Sequence, residues 1–317
     1  MWSSYWDGYS RAPLRIGVAT IALLEFAVEA WAVASMVADP AHFPATGPLS
    51  LGLQGLPYLA WGIYALVAAG LLALATDRRP IAGATWALAW MLLLSQWQTQ
   101  LFGSPSRNSF FPGAAVLGWT LGSVWARALQ GSLADSSAAR SIRERLAEAG
   151  AIGCIGAAYV GSATSKLLSA GVTWADASQV RALVLWQSPV ATWGWLLDYR
   201  QTLLMNPGYA QIAAVATLTI ELAGLLLLFG KRLRLLAAIA ILSLHVNIIL
   251  LCTMPYLEPM ALLLLLALPW PQIFRAVHDP KDRSLVPTRA ALPRRVLALL
   301  TLLAALGWIL APFGWRG

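Results

Sequence analysis

The feature that most constrains this chain is a series of long apolar blocks separated by short connectors rich in arginine. Each block is about 20 residues long, the length a helix needs to cross a ~30 Å hydrocarbon core. Hydrophobic residues fill 59% of the 317 positions and charged residues only 11%, where a soluble domain carries roughly 25% charged residues. A soluble fold would have to bury every block in one core. The pattern instead predicts an all-α, polytopic transmembrane bundle. We place nine spans at 16–38, 55–76, 81–102, 113–131, 148–170, 208–229, 233–253, 257–274 and 294–313. The first block begins near Arg15 and runs too long for the apolar region of a cleaved leader, so a retained first span is expected.

Charge gives these spans a direction. With the N-terminus cytoplasmic, seventeen of the 22 Lys and Arg residues fall on the inner side, Arg11, Arg15, Arg78, Arg79, Arg143 and Lys231 among them. Arg107, Arg181, Arg200 and Arg316 fall on the outer side, and Lys166 lies within a span. Cytoplasmic loops carry such an excess of basic residues, and adding or dropping one middle span would scramble it. Arg127, at the inner end of span 4, is close enough to snorkel to the headgroups. The C-terminus is then expected outside, with residues 1–317 forming one membrane domain in a bacterial inner membrane. Topology thus accounts for the net charge of +8 without a nucleic-acid partner; membrane lipid is the expected neighbour.

Sixteen tryptophans, many near block ends, suit an interfacial aromatic belt. Cys154 and Cys252 fall inside blocks and read as packing residues. The stretch 171–207, between spans 5 and 6, is polar and broken by Pro189 and Gly194. It reads as an outer-face cap with one or two short interfacial helices, or with 182–197 as a re-entrant segment.

Ionisable groups inside spans are costly and therefore mark candidate sites. They are Glu25 and Glu29 in span 1, Lys166 in span 5, Glu221 in span 6 and His245 in span 7, with Glu258 at the start of span 8. Lys166 lies near the outer end of its span, and Tyr159 and Ser162 precede it on the same helical face. Small residues at 161–163 would let another helix approach closely. A lysine withdrawn from water can lose its proton and act as a base, whereas a bland lysine here simply snorkels outward. His245, with Asn247 nearby, either orients a substrate and relays a proton or makes a structural bond between helices. Glu25 and Glu29, one turn apart, either pair with Lys166 or an arginine, or share a proton. The outer connector 102–112, with Arg107, Asn108 and Ser109 preceded by Gln96, Gln98 and Gln100, offers a polar pocket or a plain loop. The histidines at 42, 245 and 278 are scattered, so no metal site is expected, and no nucleotide loop or serine elbow is present.

Several fragments, in order, resemble the HTTM superfamily, whose membrane domain is shared with vitamin K-dependent γ-carboxylase. They are Arg11-Ala-Pro-Leu-Arg15, Thr76-Asp-Arg-Arg79, Tyr159 to Trp174 with Ser165-Lys166-Leu167, Glu221 with Gly230-Lys231-Arg232, His245-Val-Asn247 and Pro269-Trp270. The resemblance covers roughly residues 10–275. It implies that Lys166 is the base that deprotonates a reduced, vitamin K-like quinone. Oxygen then adds, the resulting alkoxide removes a carbon-bound proton, and carbon dioxide traps the carbanion. His245 would assist, and Asn108, Tyr159, Trp174, Asn247, Glu221, Glu25 and Glu29 would line the substrate or quinone site. The carboxylase adds a large lumenal β-rich domain for its peptide, and no stretch of these 317 residues reads as one. Short members of the superfamily resemble instead a maturation factor for a secreted peptide. Two functions follow: a quinol- and oxygen-using enzyme modifying a peptide or small molecule at the outer face, or a non-catalytic maturation, chaperone or immunity protein for a secreted peptide. A transporter ranks last, because no paired discontinuous helices stand out.

Overall fold

Alanine and leucine fill the apolar blocks, both strong helix formers, and helices are what the blocks become. The computed structural model describes Trp6 and residues 10–102, 107–130, 137–254 and 256–272. The expected ninth span, His278, and the basic residues Arg275, Lys281, Arg283, Arg289, Arg294, Arg295 and Arg316 lie outside the described residues. Eleven α-helices follow in order: α1 Ala12–Ala38, α2 Pro48–Gly52, α3 Tyr58–Ala75, α4 Pro80–Phe102, α5 Arg107–Gln130, α6 Ser137–Ala170, α7 Ala177–Trp186, α8 Gly194–Met205, α9 Pro207–Leu222, α10 Lys231–Cys252 and α11 Leu257–Ala267. Tighter 3₁₀ turns occupy Gly171–Ala175 and Ala223–Leu228, and no strand occurs among the described residues.

Among the described residues, five helical segments are long and apolar enough to cross a membrane: Ala12–Ala38, Tyr58–Ala75, Arg140–Ala175, Pro207–Leu228 and Lys231–Cys252. Leu24, Leu72, Leu92, Ile212 and Leu236 are each more than half exposed on the outer faces. Helices apolar on both their packed and outer faces are those of an integral membrane protein. Helices α4 and α5 have the length but carry more polar residues, such as Gln96, Gln98 and Gln100.

Three boundaries differ from the sequence expectation. Helix α5 starts at Arg107 rather than near 113 and carries Pro112 inside it, at its sixth residue, where the missing N–H costs one helical bond. Helix α6 starts at Ser137 rather than 148, and its 34 residues extend for about 51 Å at 1.5 Å per residue. The expected eighth span, 257–274, holds an 11-residue helix that stops before Pro269.

The described chain gathers into two compact units that divide α6 after Ile155. One unit comprises Ser10–Ile155 with Ala261–Leu266. Here α3 and α4 form a hairpin whose backbones meet at Gly70 and Gly83; a methyl at Gly70 would lie 2.6 Å from the Gly83 carbonyl. The hairpin turn puts Asp77 in the left-handed region at φ 59°. Asp77 accepts from Arg15 and Arg143, each at 3.2 Å, and Arg15 also reaches Glu144 at 3.3 Å. Next to this cluster in sequence, Arg11 pairs with Glu148 at 2.8 Å. These pairs bring the start of α1, the α3–α4 turn and the first part of α6 to one end of the unit.

Helices α5 and α6 touch backbone to backbone in the same unit. A methyl at Gly118 would overlap the Gly150 carbonyl, and one at Gly122 the Leu146 carbonyl. No side chain can swing aside there, so the helices themselves must separate. Gly118→Ala is expected to destabilise the protein by about 1–3 kcal/mol. Ala at Gly113, which meets nothing, is expected to stay within about 0.5 kcal/mol. Thermal unfolding in detergent checks both.

The other unit contains Gly156–Met260 among its segments. Helix α6 and the 3₁₀ turn that follows α9 converge at Gly156 and Gly224, where a methyl on Gly156 would lie 2.6 Å from the Gly224 carbonyl. Of the small residues at 161–163, Gly161 faces open space, while Ser162 reaches Glu221 on α9 and Ala163 is fully buried. The cap 171–207 folds as one 3₁₀ turn and two short helices, α7 and α8. It ties to the start of α9 through Gln211, which bonds the Ala177 amide at 3.1 Å and the Ala175 carbonyl at 2.6 Å. It ties to the end of α10 through Thr253 on the Ser188 carbonyl at 2.6 Å and Val190 on Leu250 at 3.1 Å. Val184, Leu196, Leu203, Leu251 and Cys252 form the apolar seam beneath. Arg234, in the first turn of α10, is fully buried and donates to the Leu227 carbonyl at 3.2 Å.

Candidate functional site

The helical spacing of Tyr159, Ser162 and Lys166 puts all three on one stripe of α6. The Gly156–Gly224 contact brings the end of α9 against that stripe, so Glu221, one turn before Gly224, faces it. Lys166 Nζ donates to Glu221 Oε1, and Ser162 Oγ donates to the same oxygen at 3.3 Å. Four residues beyond the end of α6, the 3₁₀ turn carries Trp174 back over the lysine, with its ring centroid 4.5 Å from Nζ. A carboxylate below and an aromatic face above both favour positive charge on Nζ. Glu221 is 7% exposed, and its Oε2 is buried with no hydrogen-bond partner among the described residues.

Two turns before Lys166 on the same stripe of α6, Tyr159 packs its Cβ against Gly224. Its hydroxyl lies 2.6 Å from His245 Nε2 on α10. Both are buried, at 2% and 5% exposure. The His245 ring is 5.4 Å from that of Tyr256, centroid to centroid. His245 Nδ1 has no hydrogen-bond partner among the described residues. Either tautomer therefore leaves a polar atom to satisfy: an N–H if the tyrosine donates to Nε2, a lone pair if Nε2–H donates to the tyrosine. Two buried polar atoms, Glu221 Oε2 and His245 Nδ1, thus await a partner within one unit.

The remaining expected site residues separate. Asn247 is half-buried and accepts from the Tyr199 hydroxyl at 3.2 Å, which makes it part of the junction between the cap and α10. Burial pushes the Tyr199 phenol up from its ordinary value, so it stays a donor. Arg200, beside it, donates to the Leu251 and Gln187 carbonyls. Glu25 and Glu29 are buried at 5% and 2% on α1, in the other unit. The carboxylate that Lys166 meets is Glu221, not either of these. Asn108 lies in the first turn of α5, where a loop was expected, and its side chain is outside the described residues. Cys154 and Cys252 are free thiols. No group of three or more His, Cys, Asp and Glu gathers among the described residues.

Tyr256 and Tyr199 are site neighbours that the sequence did not reveal. Tyr256 reaches His245 because Thr253, in the left-handed region at φ 51°, reverses the chain after α10. Neither the left-handed residue nor the reversal has a signature in Cys252-Thr253-Met254. Comparison with known proteins supplies no relative: no family model, no curated protein and no solved structure matches the chain.

Proposed function

We propose that this chain is a nine-span protein of the bacterial inner membrane, N-terminus cytoplasmic and C-terminus outside, that works as a vitamin K-dependent γ-carboxylase-like enzyme of the HTTM superfamily. It uses a reduced quinone and oxygen, with carbon dioxide, to modify a peptide or small molecule at the outer face.

Two sets of contacts support the topology. The ion pairs of Arg11, Arg15 and Arg143 gather the start of α1, the α3–α4 turn and the beginning of α6. A cytoplasmic N-terminus requires those three places to share a side. In the other unit, the cap meets both the start of α9 and the end of α10, as an outer cap must.

The observation that carries the chemistry is Lys166, bonded to the buried Glu221 and covered by Trp174 at the end of α6. The buried Glu221 Oε2 and His245 Nδ1 suit the hydroxyl groups of a reduced quinone. When bound, the quinol would supply, through its oxidation by oxygen, the driving force from which a base strong enough for a carbon-bound proton is made. The Lys166–Glu221 pair takes the hydroxyl proton, Trp174 excludes water above it, and Tyr159 with His245 orients the other end. Quinol, oxygen and carbon dioxide are all soluble in the bilayer.

The test is reconstitution in nanodiscs with a vitamin K-type hydroquinone, following quinone epoxide by chromatography. Wild-type protein is expected to form epoxide only when oxygen is present and well above protein-free discs. Equal background from wild type and Lys166→Ala contradicts the reading. That result, together with unimpaired protection or maturation of a secreted peptide by the variant, favours the non-catalytic alternative.

A further inference from the structure

We propose that the proton acceptor in this pair is Glu221, through Oε2, and that Lys166 acts as a fixed positive charge rather than as the base; the assignment rests on the quinol reading above. Lys166 Nζ touches the Glu221 carboxylate and the Trp174 ring, and both stabilise an ammonium. An ammonium has three donors and no lone pair, so it cannot accept a proton. Glu221 presents the opposite picture. Its Oε1 accepts from Lys166 and Ser162, while Oε2 is buried and has no hydrogen-bond partner among the described residues. The free lone pairs of the pair therefore sit on Oε2.

The transfer balances simply. The substrate O–H bond breaks, its electron pair stays on the substrate oxygen, and the proton bonds to Oε2. Glu221 becomes a neutral acid still held by Lys166 through Oε1. The ammonium, released from its anionic partner, then stabilises the new substrate anion. Net charge in the site is unchanged, which matters where water is scarce.

Rescue of alanine variants in full-length protein separates the roles. Lys166→Ala is expected to regain about tenfold or more of its lost rate with guanidinium ion, a cation that does not give up its proton at neutral pH. Glu221→Ala is expected to respond to formate and not to guanidinium. Rescue of Lys166→Ala by neutral amines alone, at rates that follow amine basicity, overturns the assignment. Infrared difference spectra of resting protein decide it without turnover. Glu221→Gln must remove carboxylate bands; loss of a protonated-acid carbonyl band instead overturns the assignment. A wild type that turns over no quinol defeats the parent reading alone, and the infrared result still fixes which partner carries the acceptor.

Discussion

Lys166→Ala is expected to lower quinol turnover by about 10²–10³-fold, the range lost when a group that stabilises a developing anion is removed. The substitution removes the charged partner of Glu221 and leaves Ser162 donating to Oε1. It also removes the cation beneath Trp174. Lys166 lies near the C-terminal end of α6 and its side chain is a quarter exposed, at 25%. The fold should therefore tolerate the change better than the chemistry does. The measurement is epoxide formed per folded protein at saturating hydroquinone, with elution volume as the folding control. A loss of less than about threefold, in protein that elutes normally, would mean that the Lys166 charge is not part of the catalytic pair.

The second large effect concerns stability. Glu148 is fully buried, Arg11 is 2% exposed, and they meet at 2.8 Å. Glu148→Leu strips the guanidinium of this carboxylate in the interior and is expected to cost about 3–5 kcal/mol. Replacing both partners, Arg11→Met with Glu148→Leu, leaves no stranded charge and is expected to recover most of that loss. Asp77 is 20% exposed, so water can replace part of its lost bonds, and Asp77→Asn should cost about 1 kcal/mol. A double-mutant cycle by denaturant unfolding reads the coupling directly. Additive single substitutions would mean that the pair is not a unit.

The apolar blocks made most of the helices legible. Seven of the expected spans overlap long helices, because alanine- and leucine-rich runs of span length admit little else. The errors lie where helix and membrane part company. Residues 137–147 read as a basic connector, yet charge does not stop a helix, and α6 runs through Arg140, Arg143 and Glu144. Residues 107–112 read as part of an outer connector, yet they belong to α5, which runs on through Pro112. Within the site, the stripe Tyr159, Ser162 and Lys166 was legible from helical spacing alone. Its partner was not. Lys166 and Glu221 are 55 residues apart, and which faces of α6 and α9 meet depends on the Gly156–Gly224 contact. Glu25 and Glu29 looked equally eligible, and both are buried on one stripe of α1 as their spacing implies. Spacing along one helix cannot say which unit its neighbours belong to, and theirs is not that of Lys166.

The account stands most directly on where a reduced quinone binds. Electron cryomicroscopy of the full chain in nanodiscs with a vitamin K-type hydroquinone would locate it. The account predicts a ring hydroxyl within about 2.6–3.2 Å of Glu221 Oε2, with Trp174 and Lys166 beside it. A quinone bound elsewhere, or Lys166 turned to bulk lipid with no ligand next to Glu221, would contradict it.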